Sequence, residues 1–118
     1  MFDVLKFRKI VDDFYKNLLE AEEELTNVRI SEDKWSLREI IGHLIDSASN
    51  NHQRFVRLQF EDLLGFPAYE GEGWVKTQKY IDMDWNVLIG LWYNYNCLLL
   101  HIVGNADTEI YDNVWVKG

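Results

Sequence analysis

The chain has 118 residues, 47% of them hydrophobic and 14% aromatic, enough to bury one core and too much for a disordered or fibrous segment. Twelve basic residues against twenty acidic ones leave a net charge of −8, which repels a phosphate backbone and argues against nucleic acid as a partner. The single Cys97 cannot close an internal disulfide, acidic residues interrupt the amino-terminal MFDVLKFRKIVDDF, and no apolar run approaches the roughly 20 residues that span a bilayer, so a soluble cytoplasmic protein without a membrane partner is expected.

Between about residue 3 and Leu25, the positions Phe7, Val11, Phe14, Leu18, Ala21 and Leu25 recur in steps of four and three, which predicts an amphipathic first helix facing a bundle core. The acidic run Glu20, Glu22, Glu23, Glu24 reads as a solvated helix face. Residues 26 to 34 form a polar connection. Ser36 followed by Glu39 is then a capping box, flanked by Trp35 and Ile40 at hydrophobic-staple spacing, and opens a second helix that can run without Pro to about Glu61.

Leu37, Ile41, Leu44, Ala48 and Phe55 share one face of that helix. A second ridge carries Glu39, His43, Asp46, Asn50, Arg54 and Arg57 at steps of three and four. Spacing alone leaves this ridge either the solvated side of an amphipathic helix or a row of groups converging on a site.

Residues 62 to 80 hold the only Pro and three of the seven Gly. A connection this long is commonly a lid, and in a bundle it lets the next helix run parallel to the previous one. Its aromatic residues Phe66, Tyr69 and Trp74 can plug the bundle end. Asp84 is a good cap for a third helix ending near Val103 at Gly104-Asn105, with Leu88, Trp92, Tyr95, Leu99 and Ile102 as its core stripe. His101 falls with Asn94 and Cys97 away from that stripe, and His52 lies on the side of its helix opposite His43. The final TEIYDNVWVKG alternates with a period of two and is read as extended.

Trp35-Ser36, Glu39, His43-Leu44, Asp46-Ser47, Asn50 and Arg54-Phe55, followed by Tyr69-Glu70 and Trp74, make the chain from about residue 30 onward similar to the DinB/YfiT-like family of metalloenzymes. The W-S-x-x-E-x-x-x-H-L-x-D block is the specific part. The resemblance implies an all-α four-helix bundle with a long connection between helices two and three. It also implies a divalent metal, Zn or Ni, held by three histidines, of which His43 matches the first. Such a metal activates a low-molecular-weight thiol or water against a small-molecule substrate, as in thiol S-transferase-like or hydrolase-like chemistry. Glu39 or Asp46 would orient His43 through a hydrogen bond. Arg54 would pair with a substrate carboxylate, with Asn50 and Trp74 as further substrate contacts.

The family's other two ligands form an H-x-x-x-H pair on the last helix, and no such pair occurs in these 118 residues. The expectation is therefore a single domain over 1–118, incomplete at its carboxyl end and stopping before the fourth helix. Its apolar stripes would be covered in a homodimer. The alternative is a non-catalytic helical-bundle module for interaction or dimerisation.

Overall fold

A computed structural model describes residues 3–60, 63–66, 68–106 and 114–117, with 63–66 and 114–117 as backbone only. Four α-helices make up most of it: α1 (Val4–Leu19), α2 (Leu37–Arg57), α3 (Gly71–Gln78) and α4 (Trp85–Asn105). Two four-residue strands, β1 (Leu63–Phe66) and β2 (Val114–Lys117), pair in parallel with Leu63 opposite Val114 and Phe66 opposite Lys117. The pairing places part of the carboxyl-terminal stretch in the extended conformation its alternation predicts.

Each long helix starts where a side chain satisfies an orphan backbone donor. Asp3 accepts from Lys6 N–H at the start of α1, and Asp84 accepts from Val87 N–H at the start of α4. The capping box of α2 forms in both directions, Ser36 Oγ accepting from Glu39 N–H and Glu39 Oε1 from Ser36 N–H. The first helix stops at Leu19, short of the expected Leu25. Carrying it on would set Glu20, Glu22, Glu23 and Glu24 in the negative end of the helix dipole. The chain instead breaks and makes a single 3-10 turn over Glu23–Leu25.

α2 is the central element, packed against α4 on one side and against the segment 69–82 on the other, while α1 packs on α4. Val11, Leu18, Ile41, Ile45, Leu88, Ile89, Trp92 and Leu100 form the core. The stripe predicted for the last long helix holds at Leu88, Trp92 and Leu99. Phe7 and Phe14, expected in the core, stay 37% and 36% exposed. By length and composition α4 would suffice to cross a membrane, contrary to the expectation that no segment would. Part of that apolar character packs the bundle, with Trp85, Leu88, Ile89, Trp92, Leu99 and Leu100 buried, while Val87, Leu91 and Leu98 are exposed.

The expectation that the chain stops before a fourth helix is corrected. The unforeseen helix is α3, inside the glycine-bearing connection. Its start is made by Glu70, whose carboxylate accepts from Glu72 N–H and Gly73 N–H. A Cβ at Gly73 would overlap Glu70 Oε2, so the glycine that reads as a loop former is what lets this cap close. α3 ends at Lys79, which sits at φ 52° and ψ 46°, the left-handed conformation that glycine usually supplies at a helix end. Lys79→Gly is expected to stabilise the protein by about 1 kcal/mol in a thermal or urea melt. Lys79→Ala, which keeps the Cβ, should bring no such gain.

Candidate functional site around His43

The polar ridge of α2 is not solvated. Glu39, Asp46 and Asn50 are only 4%, 2% and 6% exposed; Arg29 lies against Glu39, and the segment from Tyr69 to Tyr80 lies against Asp46. Three side chains hang that segment on one turn of α2. The Tyr69 hydroxyl lies 2.8 Å from Ser47 Oγ, Gln78 Nε2 donates to both carboxyl oxygens of Asp46 at 2.9 and 3.0 Å, and the Tyr80 hydroxyl donates to Asp46 Oδ1 at 2.7 Å. Burial, reinforced by the adjacent Asp46, pushes the Tyr80 hydroxyl well above the usual phenol range and keeps it a donor.

His43 lies about two turns into α2. Its ring is enclosed by aromatic groups and glycine backbone. The Trp35 ring centroid is 5.0 Å away and that of Tyr69 6.4 Å, with Trp74 tilted against Tyr69 at 5.1 Å. Gly71 sits directly over the imidazole: a Cβ there would stand 3.1 Å from Cε1 and 3.4 Å from Nδ1. Nδ1 is buried and has no hydrogen-bond partner among the described residues. Tyr69 thus borders His43, and Trp74 lies against Tyr69.

The remaining residues of the ridge are spent differently from expectation. Glu39 is a structural anchor, accepting from Arg29 Nε and Nη2 at 2.7 and 2.6 Å and from Ser36, and the Arg29 guanidinium holds its carboxyl down at about 2. Asp46 faces Gln78 and Tyr80. Among the described residues neither carboxylate bonds to His43, so the orienting hydrogen bond expected from one of them is not formed. Asn50 donates to the Asp46 carbonyl of its own helix at 2.9 Å. Arg54 donates to Asn51 Oδ1 at 3.0 Å; burial lowers its pKa and the nearby Tyr69 partly offsets this.

The other two histidines are elsewhere. His52 Nδ1 is 2.9 Å from the Tyr95 hydroxyl, and His101 Nδ1 is 3.3 Å from Asn105 Nδ2. Among the described residues no group of three or more His, Cys, Asp or Glu side chains could hold a metal ion.

Gly42, Gly71, Gln78 and Tyr80 shape the site without having been singled out in the sequence. Gly42 carried a signal, since a glycine inside a strong helical pattern marks a close approach; here it meets the Tyr80 ring. Gln78 and Tyr80 carried none, because their partner Asp46 lies more than thirty residues away.

No protein-family model matches the chain, and no curated protein does. Among solved structures, YfiT from Bacillus subtilis, described as a probable metal-dependent hydrolase with an unusual four-helix bundle topology, matches with a TM-score of 0.80 at 14% sequence identity, covering 97% of this chain and 67% of that one. At that identity the likeness speaks for the fold, and the chain is accordingly an all-α four-helix bundle resembling YfiT.

Proposed function

We propose that the chain is a YfiT-like, hydrolase-type domain acting on a small molecule, with His43 as its reactive centre. The observation that carries this is the buried Nδ1 of His43, which has no partner among the described residues. A buried polar atom left unpaired costs about 1–3 kcal/mol, and native proteins keep such groups where a bound species completes them. Gly71 leaves the space beside that nitrogen that any larger residue would fill.

The fold neighbour's description points to a divalent metal as the completing species, and imidazole suits Zn or Ni. The described residues fit only one donor of such a centre. A protein-held metal takes three or four ligands, and His43 has no converging companions among them. A metal-dependent version of the site therefore draws its other donors from beyond the described residues, a second copy of the chain being one source. Tyr69 would wall the substrate, with Trp74 behind it. Water is the nucleophile favoured by the hydrolase description, and a low-molecular-weight thiol is the alternative.

The test is metal content. Protein purified without chelator and equilibrated with Zn or Ni is expected to hold about one metal per chain by elemental mass spectrometry. His43→Ala should reduce this to background with little change in melting temperature. Wild-type protein without metal, or equal loading in the variant, would refute a metal-dependent enzyme and leave the non-catalytic bundle module as the reading.

A further inference from the structure

α1, α2 and α4 enclose a cavity of about 550 Å³, open on one side, that is separate from the ring contacts of His43. Its size falls in the range of small-molecule sites. Phe7 and Phe14 of α1 form its rim, with Leu44 and Ala48 of α2 and Trp92 and Leu99 of α4 further in. Phe14 and Trp92 touch as a tilted pair with ring centroids 5.1 Å apart. Among the described residues none that lines it is charged, although 27% of the chain is. Such a lining offers nothing to an ion, and it lacks the basic rim that a second copy of this acidic chain would need for charge complementarity.

The polar lining comes from Ser47, Asn51 and Asn96. Ser47 and Asn51 stand one turn apart on the side of α2 that adjoins the polar ridge. Ser47 is also the partner of the Tyr69 hydroxyl, whose ring borders His43. Thus one turn of α2 carries His43 on one flank and opens, through Leu44 and Ser47, into the cavity on the other.

We propose that this cavity binds the apolar body of a neutral small molecule whose polar end lies at Ser47, facing the His43 site. The placement of the polar end rests on the reading of His43 as the reactive centre; the apolar binding stands without it. The substrate class that follows is an uncharged amphiphile, a compact hydrocarbon or aromatic body with one polar, hydrolysable end.

Nile red, a neutral apolar fluorophore, is titrated into the metal-free full chain, with 1-decanol as competitor. The expected result is saturable binding of one dye per chain with blue-shifted emission, reversed by decanol. Ala48→Phe, which fills the cavity, should weaken binding at least tenfold. Asn96→Phe fills it from the half-buried side of α4 and gives the same reading if Ala48→Phe does not fold. Dye binding that does not saturate, or that survives both variants, overturns the proposal, as does a dimer by sedimentation that excludes the dye by covering the groove. Because the dye titration is run without metal and the metal titration without dye, either can fail alone, which separates this inference from the proposed function.

Discussion

Gly42→Ala is expected to destabilise the protein by roughly 3 kcal/mol or more, at the upper end of overpacking costs, and to lower its melting temperature by about 10 °C or more. Helix propensity by itself predicts the opposite, a gain of about 1 kcal/mol for alanine inside α2. The overlap decides the sign: a Cβ at Gly42 would intrude on Cγ and Cδ2 of Tyr80. That ring has nowhere to retreat. It is buried in the core cluster with Val75, Trp85 and Ile89, and its hydroxyl is tied to Asp46 and Gln78. Moving it would strip buried Asp46 of a donor, which adds the cost of an unsatisfied polar group. Tyr80→Ala in the Gly42→Ala background should return part of the loss, giving a coupling energy of opposite sign to the two single effects. A Gly42→Ala protein as stable as the parent would mean that the ring does not lie there.

The second large effect is electrostatic and appears in acid. Glu39 in the folded chain titrates at about 2, against an ordinary value of 4.5, because Arg29 and Ser36 bind its ionised form. A depressed carboxyl contributes stability that is complete above the unfolded value and disappears as the pH falls through the folded one. The contribution, on the order of 3 kcal/mol, is therefore present at neutral pH and lost between about pH 4.5 and 2. Urea melts across that window should show the decline, and Glu39→Gln should flatten it while starting from a lower plateau. Arg29→Ala should be the more damaging of the two substitutions, because it leaves the buried carboxylate without its cation, whereas Arg29 itself is partly solvated and can recover water when Glu39 is neutralised. An unchanged acid slope in Glu39→Gln would assign the pH dependence to other carboxylates.

What the sequence shows of this fold is what is local. The α2 capping box, the Asp84 cap and the four-three spacing of Leu88, Trp92 and Leu99 are each set by a few neighbouring residues, and each stands in the structure. α3 escapes because two glycines in one turn outweigh any helical pattern, and the reason they are tolerated, room for Glu70 to cap its own helix, is a matter of three dimensions. The ridge of His43, Asp46 and Asn50 is legible as a ridge. The burial of Asp46 is not, since that depends on Gln78 and Tyr80, more than thirty residues further on, with no periodicity to announce where they will lie. Trp35 and Tyr69 meet the His43 ring, and Trp74 meets Tyr69, contacts that spacing leaves open. The roles of Glu39 and Asp46 are no more legible, because Arg29 and Gln78 compete for their carboxyl groups and nothing in the spacing names the winner.

The way the segment from Tyr69 to Tyr80 hangs from α2 limits which changes in chain length the protein can accept. The hydrogen bonds seen between them among the described residues reach Asp46 or Ser47, two adjacent residues, while His43 waits one turn earlier under Gly71. A single residue inserted between His43 and Asp46 would rotate the imidazole by about 100° relative to both ties and carry it out from under Gly71. The connections on either side of this helix can lengthen at little cost. Those three residues of α2 cannot, and so chains that share this site should differ in the length of their loops and agree in this spacing.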